Sequence, residues 1–155
     1  TAYEIRLSLV GSEMCIRDRI ILEQRTTSDP NQLAATVNQL AGFVDVIYCT
    51  NDNTVNKGAK TLAEACIAEK IPFIIGELST VEKGALFGVG VEYTAMGKRL
   101  AALAIDALNQ RNSGVLPPPE GPPPADLWIN DTVAARLHIE FTPEFRKRAT
   151  RSVGP

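Results

Sequence analysis

The polar run that follows Val44-Asp45-Val46-Ile47-Tyr48-Cys49 holds four candidate site residues in five positions, Thr50, Asp52, Asn53 and Thr54, with Asn51 among them. Hydroxyl, carboxylate and amide groups crowded this closely can hold a small polar solute. Backbone N–H groups at a helix start, helped by the Asn53 and Thr54 side chains, suit a carboxylate. Asp52 suits an ammonium or a hydroxyl. The same residue types cap helices, but a single cap needs a single side chain, so the excess is free to contact solute. A second apolar run, Ile71-Pro72-Phe73-Ile74-Ile75-Gly76, ends in Glu77. That acid is either a solvated loop carboxylate favoured by a helix dipole or a second acceptor for an ammonium. Tyr93 follows a third run, where it either stacks on a ligand or packs at a helix start.

No catalytic constellation accompanies these groups. His138 is the only histidine, and no cysteine or paired acid lies near it in sequence. Cys15, Cys49 and Cys66 include no Cys-x-x-Cys pair, which argues against a zinc knuckle or a thioredoxin-like site. Cys49 and Cys66 read instead as small buried hydrophobes. No Gly-x-Ser-x-Gly elbow or phosphate-binding loop is present, and Gly88 with Gly90 lacks the third glycine of a dinucleotide fingerprint. The expectation is a non-enzyme without metal or cofactor.

Elements able to position the polar edges follow from periodicity. Ile20–Gln24 is expected as a strand, and Asp29-Pro30 as a cap with proline in the first helical turn. Leu33, Val37 and Leu40 make one helical stripe that Gly42 stops. Val44–Cys49 reads as a doubly covered strand. Thr54–Lys70 is a helix with Ala59, Leu62, Ala65 and Cys66 inward, and Phe73–Gly76 is a second buried strand. Ser79-Thr80-Val81-Glu82 matches a capping box. Leu86–Val91 reads as a glycine-interrupted strand, and Tyr93–Asn109 as the strongest helix, carrying Met96, Leu100, Leu103, Ile105 and Leu108. Leu127–Asn130 is expected as a last strand, with a helix from about Asp131 and a basic terminal helix opened by Thr142-Pro143. Its Arg146, Lys147, Arg148 and Arg151 are read as a solvated face. Strands alternating with helices predict an α/β fold with a mostly parallel sheet and helices on both faces. Ligands bind at the carboxyl ends of such strands.

With 155 residues, 45% apolar and 22% charged, the chain has enough apolar material for one core. A net charge of −2 offers no electrostatic case for nucleic acid. No apolar run approaches the ~20 residues of a membrane-spanning helix. No charged leader with an apolar stretch opens the chain, which reads as truncated.

From about Ile20 to Ala149 the chain resembles the C-terminal portion of an ABC-transporter substrate-binding protein, of the tryptophan-type family with a type I periplasmic-binding fold. The likeness rests on Val44–Tyr48 with Asp52-Asn53-Thr54, and on Ile71-Pro72 through Gly76-Glu77. It continues in Val81-Glu82-Lys83-Gly84-Ala85-Leu86, Tyr93 with Gly97-Lys98-Arg99, and Trp128-Ile129-Asn130. The resemblance implies one of two lobes, binding an amino acid or similar solute in the interlobe cleft by hinge closure. Thr50, Asp52, Asn53, Thr54, Glu77 and Tyr93 would face that cleft. It also implies an extracytoplasmic location, a membrane permease as partner, and an N-terminal lobe missing from this chain. Cys49 and Asn51 depart from the family pattern, and the proline-rich stretch is unusually long.

The expected organisation is a non-native, adapter-like segment at 1–19, a solute-binding lobe at 20–111, a Pro-rich connection at 112–126, and a terminal strand and helices at 127–155. The segment Ser8 to Arg19 is similar to translated sequencing-adapter sequence. Two rival functions share related folds: the effector-binding domain of a transcription regulator, and a flavodoxin-like enzyme.

Overall fold

Short apolar runs ending in glycine or small polar residues become the strands of one sheet. The computed structural model describes residues 20–109, 121 and 124–154. Strands β1 (Ile47–Cys49), β2 (Phe73–Ile75) and β3 (Phe87–Gly90) pair in parallel and in sequence order. β4 (Asp126–Asn130) returns antiparallel to β3, and β5 (Arg151–Val153) runs parallel to β4. The order is β1-β2-β3-β4-β5, so the sheet is mostly parallel, as the alternation of elements predicts.

The helices are α1 (Leu33–Leu40), α2 (Asn53–Ala68), α3 (Ser79–Glu82), α4 (Tyr93–Asn109), α5 (Asp131–Leu137) and α6 (Pro143–Arg148). A 3-10 turn at Pro30–Gln32 leads into α1, and Asp29 accepts from Asn31 N. Alternation along the strands sends Ile47, Phe73 and Ile75 to one face, where Leu33, Val37 and Leu40 of α1 meet Leu62, Ala63 and Cys66 of α2. Gly58 permits that close approach, because a Cβ there would stand 2.5 Å from Leu33 Cδ1 and 3.0 Å from the Pro30 carbonyl. On the opposite face Phe87 meets Phe145 of α6 edge-on at 5.3 Å.

Asn130 joins three elements. Buried at the end of β4, it donates to the Val81 carbonyl of α3 at 2.8 Å and caps α5 by accepting from Val133 N at 3.0 Å. Truncation would leave Val133 N without its cap and the Val81 carbonyl with only its weaker bond from Gly84 N at 3.2 Å. Asn130→Ala should therefore cost about 2 kcal/mol of stability, read from the urea midpoint.

Three expectations need correction. Ile20–Gln24 forms no strand; Ile20, Ile21 and Leu22 are exposed, and among the described residues no strand pairs with them. An apolar run becomes a strand only when a neighbour completes its hydrogen-bond ladder. β1 begins at Ile47 instead of Val44. The apolar stripe of α4 is not inward: Met96, Leu100, Ile105 and Leu108 are exposed, and no residue of this helix is buried. Strand β5 adds to the expected set, because only its pairing with β4 makes a strand of the short segment Arg151–Val153. The segment 1–19, and 112–120 with 122 and 123 of the Pro-rich connection, lie outside the described residues.

Candidate functional site

Because β1, β2 and β3 run parallel, the loops after them share one edge of the sheet. Gly76 N donates to the Cys49 carbonyl at 3.1 Å, drawing the first two loops together. Their close contact also shows at Gly76, where a Cβ would lie 3.8 Å from Asn51 N.

Asp52 adopts extended backbone at the N-cap of α2, and its Oδ1 accepts from Thr54 N at 2.7 Å and Val55 N at 3.2 Å. Those backbone bonds hold its carboxyl below the ordinary range, with the Thr54 hydroxyl adding to them. The capping role is thus real, and it changes the expected anion site. Two amides at the start of α2 already serve Asp52, and the carboxylate beside them would repel a second one. Both backbone bonds fall on Oδ1, and the residue is exposed at the edge, so the carboxylate keeps accepting capacity toward solvent.

Glu77 is buried at the end of β2. Its Oε1 accepts from Ser79 N at 3.0 Å, and its Oε2 from Ser79 Oγ at 2.8 Å, Thr80 N at 3.0 Å and Thr80 Oγ1 at 2.9 Å. Ser79 is itself helical and the N-cap position is Leu78, so the amides at the start of α3 are served by Glu77 from the residue before the cap. Burial works to raise this carboxyl, but the bonds from Ser79 and Thr80 outweigh it and hold the group below its ordinary value. A ligand ammonium would meet a carboxylate already taking four donors.

Tyr93 opens α4 with its ring exposed, and its hydroxyl oxygen accepts from Asn51 Nδ2 at 2.9 Å. Asn51 Oδ1 accepts in turn from Asn56 Nδ2 at 2.9 Å, and Thr80 Oγ1 approaches Asn56 Oδ1 at 3.4 Å. A polar chain thus crosses the edge from Asn56 through Asn51 to Tyr93, and Thr80, whose single hydroxyl hydrogen goes to the nearer Glu77 Oε2, lies against its far end. Asn51, Asn56 and Thr80 were not among the residues expected at the site. The one signal was that Asn51 departs from the family pattern; which residues it meets depends on loop contacts across 42 positions. Thr50 and Asn53 are exposed beside this chain without hydrogen bonds of their own side chains among the described residues.

Cys49 lies beneath the edge, and burial with Asp52 nearby pushes its thiol up to about 11. Burial and Cys49 push Cys66 to about 12, so both stay protonated at neutral pH and act as core atoms. Among the described residues no group of three potential ligands could hold a metal ion, and no helix is long and apolar enough to cross a membrane. A groove lined by Asp131, His138, Phe141 and Arg146 lies beyond β4, at the other end of the sheet. Its carboxylate is already taken by Arg146, at 2.8 Å, and by Ser152.

A parallel sheet whose polar strand ends stand open, next to a helix with an uncovered apolar stripe, defines one lobe of an α/β solute-binding protein. The chain belongs to the ABC transporter substrate binding protein family, whose model matches residues 13–153. That match begins inside the segment 1–19. The chain is 32% identical, over 92 residues, to a tyrosine-binding protein from Clostridioides difficile, a match covering 59% of this chain and 26% of that protein. Its fold is similar to a conserved domain protein from Vibrio cholerae, with a TM-score of 0.77 and 26% identity, over 96% of this chain and 50% of that one. A ligand-free, open substrate-binding protein with adhesive properties from Clostridium difficile shares the fold at a TM-score of 0.75 and 21% identity, over 100% and 51% of the two chains. An ABC domain from Streptococcus pneumonia in complex with L-Trp does so at 0.72 and 22%, over 94% and 50%. The chain spans about half the length of these solved structures.

Proposed function

We propose that this chain is the C-terminal lobe of an extracytoplasmic solute-binding protein that captures an amino acid between two lobes and delivers it to a membrane permease. It binds and releases without chemistry. The observation that carries this reading is the open strand edge holding Asp52, Asn51 and Tyr93. Asp52 keeps a charged oxygen for the ammonium of the solute, and Thr50, Asn53 and Thr54 line the same edge. Glu77 shapes this wall by fixing the loop after β2. The tyrosine-binding relative supports an amino acid as the solute.

The apolar stripe of α4 supports a second lobe. Tyr93, Met96, Leu100 and Leu108 fall on one side of that helix and are exposed. Covering each of the large aliphatic side chains is worth about 2 kcal/mol, which favours a partner surface over water. The N-terminal lobe is that partner, and hinge closure between the lobes traps the solute. On its own the chain should associate with itself as its concentration rises. Leu100→Glu combined with Leu108→Glu should abolish that association in sedimentation velocity.

The direct test is calorimetric titration of the two-lobed protein carrying this chain with L-tyrosine and L-tryptophan. One-to-one saturable binding, with the solute recovered unchanged, is expected. Absence of heat with both solutes would remove the amino-acid reading.

A further inference from the structure

We propose that Asn51 and Asn56 are positioning residues that turn the Tyr93 hydroxyl into a hydrogen-bond donor for the carboxylate of the solute. This rests on the amino-acid reading above and assigns the solute's acidic end, which the start of α2 does not serve.

The argument follows hydrogens. Asn56 Nδ2 donates to Asn51 Oδ1, and Asn51 Nδ2 donates to the Tyr93 oxygen, each at 2.9 Å. A phenol that accepts from within the protein keeps its own O–H for an outside acceptor. The Tyr93 ring is 58% exposed, so that hydrogen is available at the open edge. Asn56 is half-buried on α2, and its own Oδ1 is approached by Thr80. The far end of the relay therefore packs against Thr80 at the start of α3, whose single hydroxyl hydrogen goes to Glu77. The near end ties α4 to the loops of the sheet edge, joining residues 42 positions apart.

Electrostatics separates two ends of the edge. Asp52 is ionised and accepts only, so it draws the ammonium and repels the carboxylate. The Tyr93 hydroxyl donates. A solute bearing both charges is thereby bound in one orientation, its amine toward the start of α2 and its acid toward the start of α4. Chains of this kind polarise each member and hold the terminal group in place.

Two measurements test this. In the isolated chain, Tyr93→Phe should move the side-chain amide NMR signals of Asn51, and by less those of Asn56, while leaving Asn38 in α1 unchanged. Unmoved Asn51 signals would overturn the relay. In the two-lobed protein, Tyr93→Phe and Asn51→Ala should each weaken L-tyrosine about tenfold, the loss of one hydrogen bond to a charged group, and leave tyramine, which lacks the carboxylate, nearly unchanged. Asn56→Ala should give a smaller loss of the same selectivity. Equal losses for L-tyrosine and tyramine, or a loss confined to tyramine, would overturn the proposal, the second because Tyr93 would then donate inward and accept the ammonium. If the wild-type protein binds neither L-tyrosine nor L-tryptophan, the amino-acid reading falls and takes the carboxylate with it, whereas unmoved Asn51 signals remove the relay alone.

Discussion

Replacing Asp52 by asparagine should weaken amino-acid binding between about tenfold and 100-fold while leaving α2 intact, because the two functions of this residue use different properties. Capping needs an oxygen that accepts from Thr54 N and Val55 N, and asparagine supplies one nearly as well. Binding an ammonium needs the negative charge, which asparagine lacks; bonds to charged groups are roughly twice as strong as neutral ones. Asp52→Ala removes both and should add a loss of helix stability to the loss of affinity. Calorimetry with L-tyrosine, paired with thermal melts, separates the effects. Equal affinity in wild type and Asp52→Asn would move the ammonium elsewhere. Since backbone bonds hold the Asp52 carboxyl below the ordinary range, affinity should be flat across neutral pH and fall only in acid as that group protonates.

Glu77→Ala should be the most destabilising change at the site, by about 3 kcal/mol. The carboxylate accepts two backbone amides and two hydroxyls in a buried turn, and of these donors only the Thr80 hydroxyl has another acceptor side chain near it, Asn56 Oδ1 at 3.4 Å. Glu77→Gln keeps one acceptor oxygen and should lose about half as much. The pH dependence has a definite sign. The folded state holds this carboxyl below its ordinary value of 4.5, so near that pH the unfolded chain binds more protons. Its contribution is complete above about 4.5 and disappears as the pH falls through the folded value. Urea midpoints followed by Trp128 fluorescence between about pH 6 and about pH 3 should drop steeply in wild type and less steeply in Glu77→Gln. Asp52, Glu92 and Asp131 are depressed as well, so the variant should flatten the acid limb without abolishing it. A slope identical to wild type would show that Glu77 carries no such bonds in solution.

Both predictions concern residues that the sequence marked and whose partners it did not. Asp52 and Glu77 were legible because a polar cluster or an acid at the end of an apolar run is visible one residue at a time. The assignment of Glu77 to an ammonium or to a helix dipole stayed open, and neither alternative included the four donors supplied by Ser79 and Thr80. Those bonds require the turn after β2 to fold back on itself, a three-dimensional condition that spacing alone suggests only weakly. Asn51 and Asn56 were harder still. Their meeting depends on loop 50–52 being held against β2 by the bond from Gly76 to Cys49, and Tyr93 reaches them only once β3 lies beside β2.

The strands and helices separated in the same way. Local patterns with period 3.6 or with continuous apolar character identified α1, α2, α4 and β2, since side-chain direction repeats within each element. Ile20–Gln24 has the composition of a strand and is not one, because a strand exists only with a partner. α4 has the stripe of a packed helix and is exposed along it, because periodicity reports that a face needs covering and not what covers it. The sequence by itself determined the alternating architecture, the polar strand ends and the family to which they belong. The tertiary structure decided which of those polar groups cap helices, which face solvent, and that Asn56 and Asn51 lead across the edge to Tyr93. The division is physical: periodicity and caps are set by neighbours within a few positions, whereas hydrogen-bond partners across the edge exist only after parallel strands have brought distant loops together.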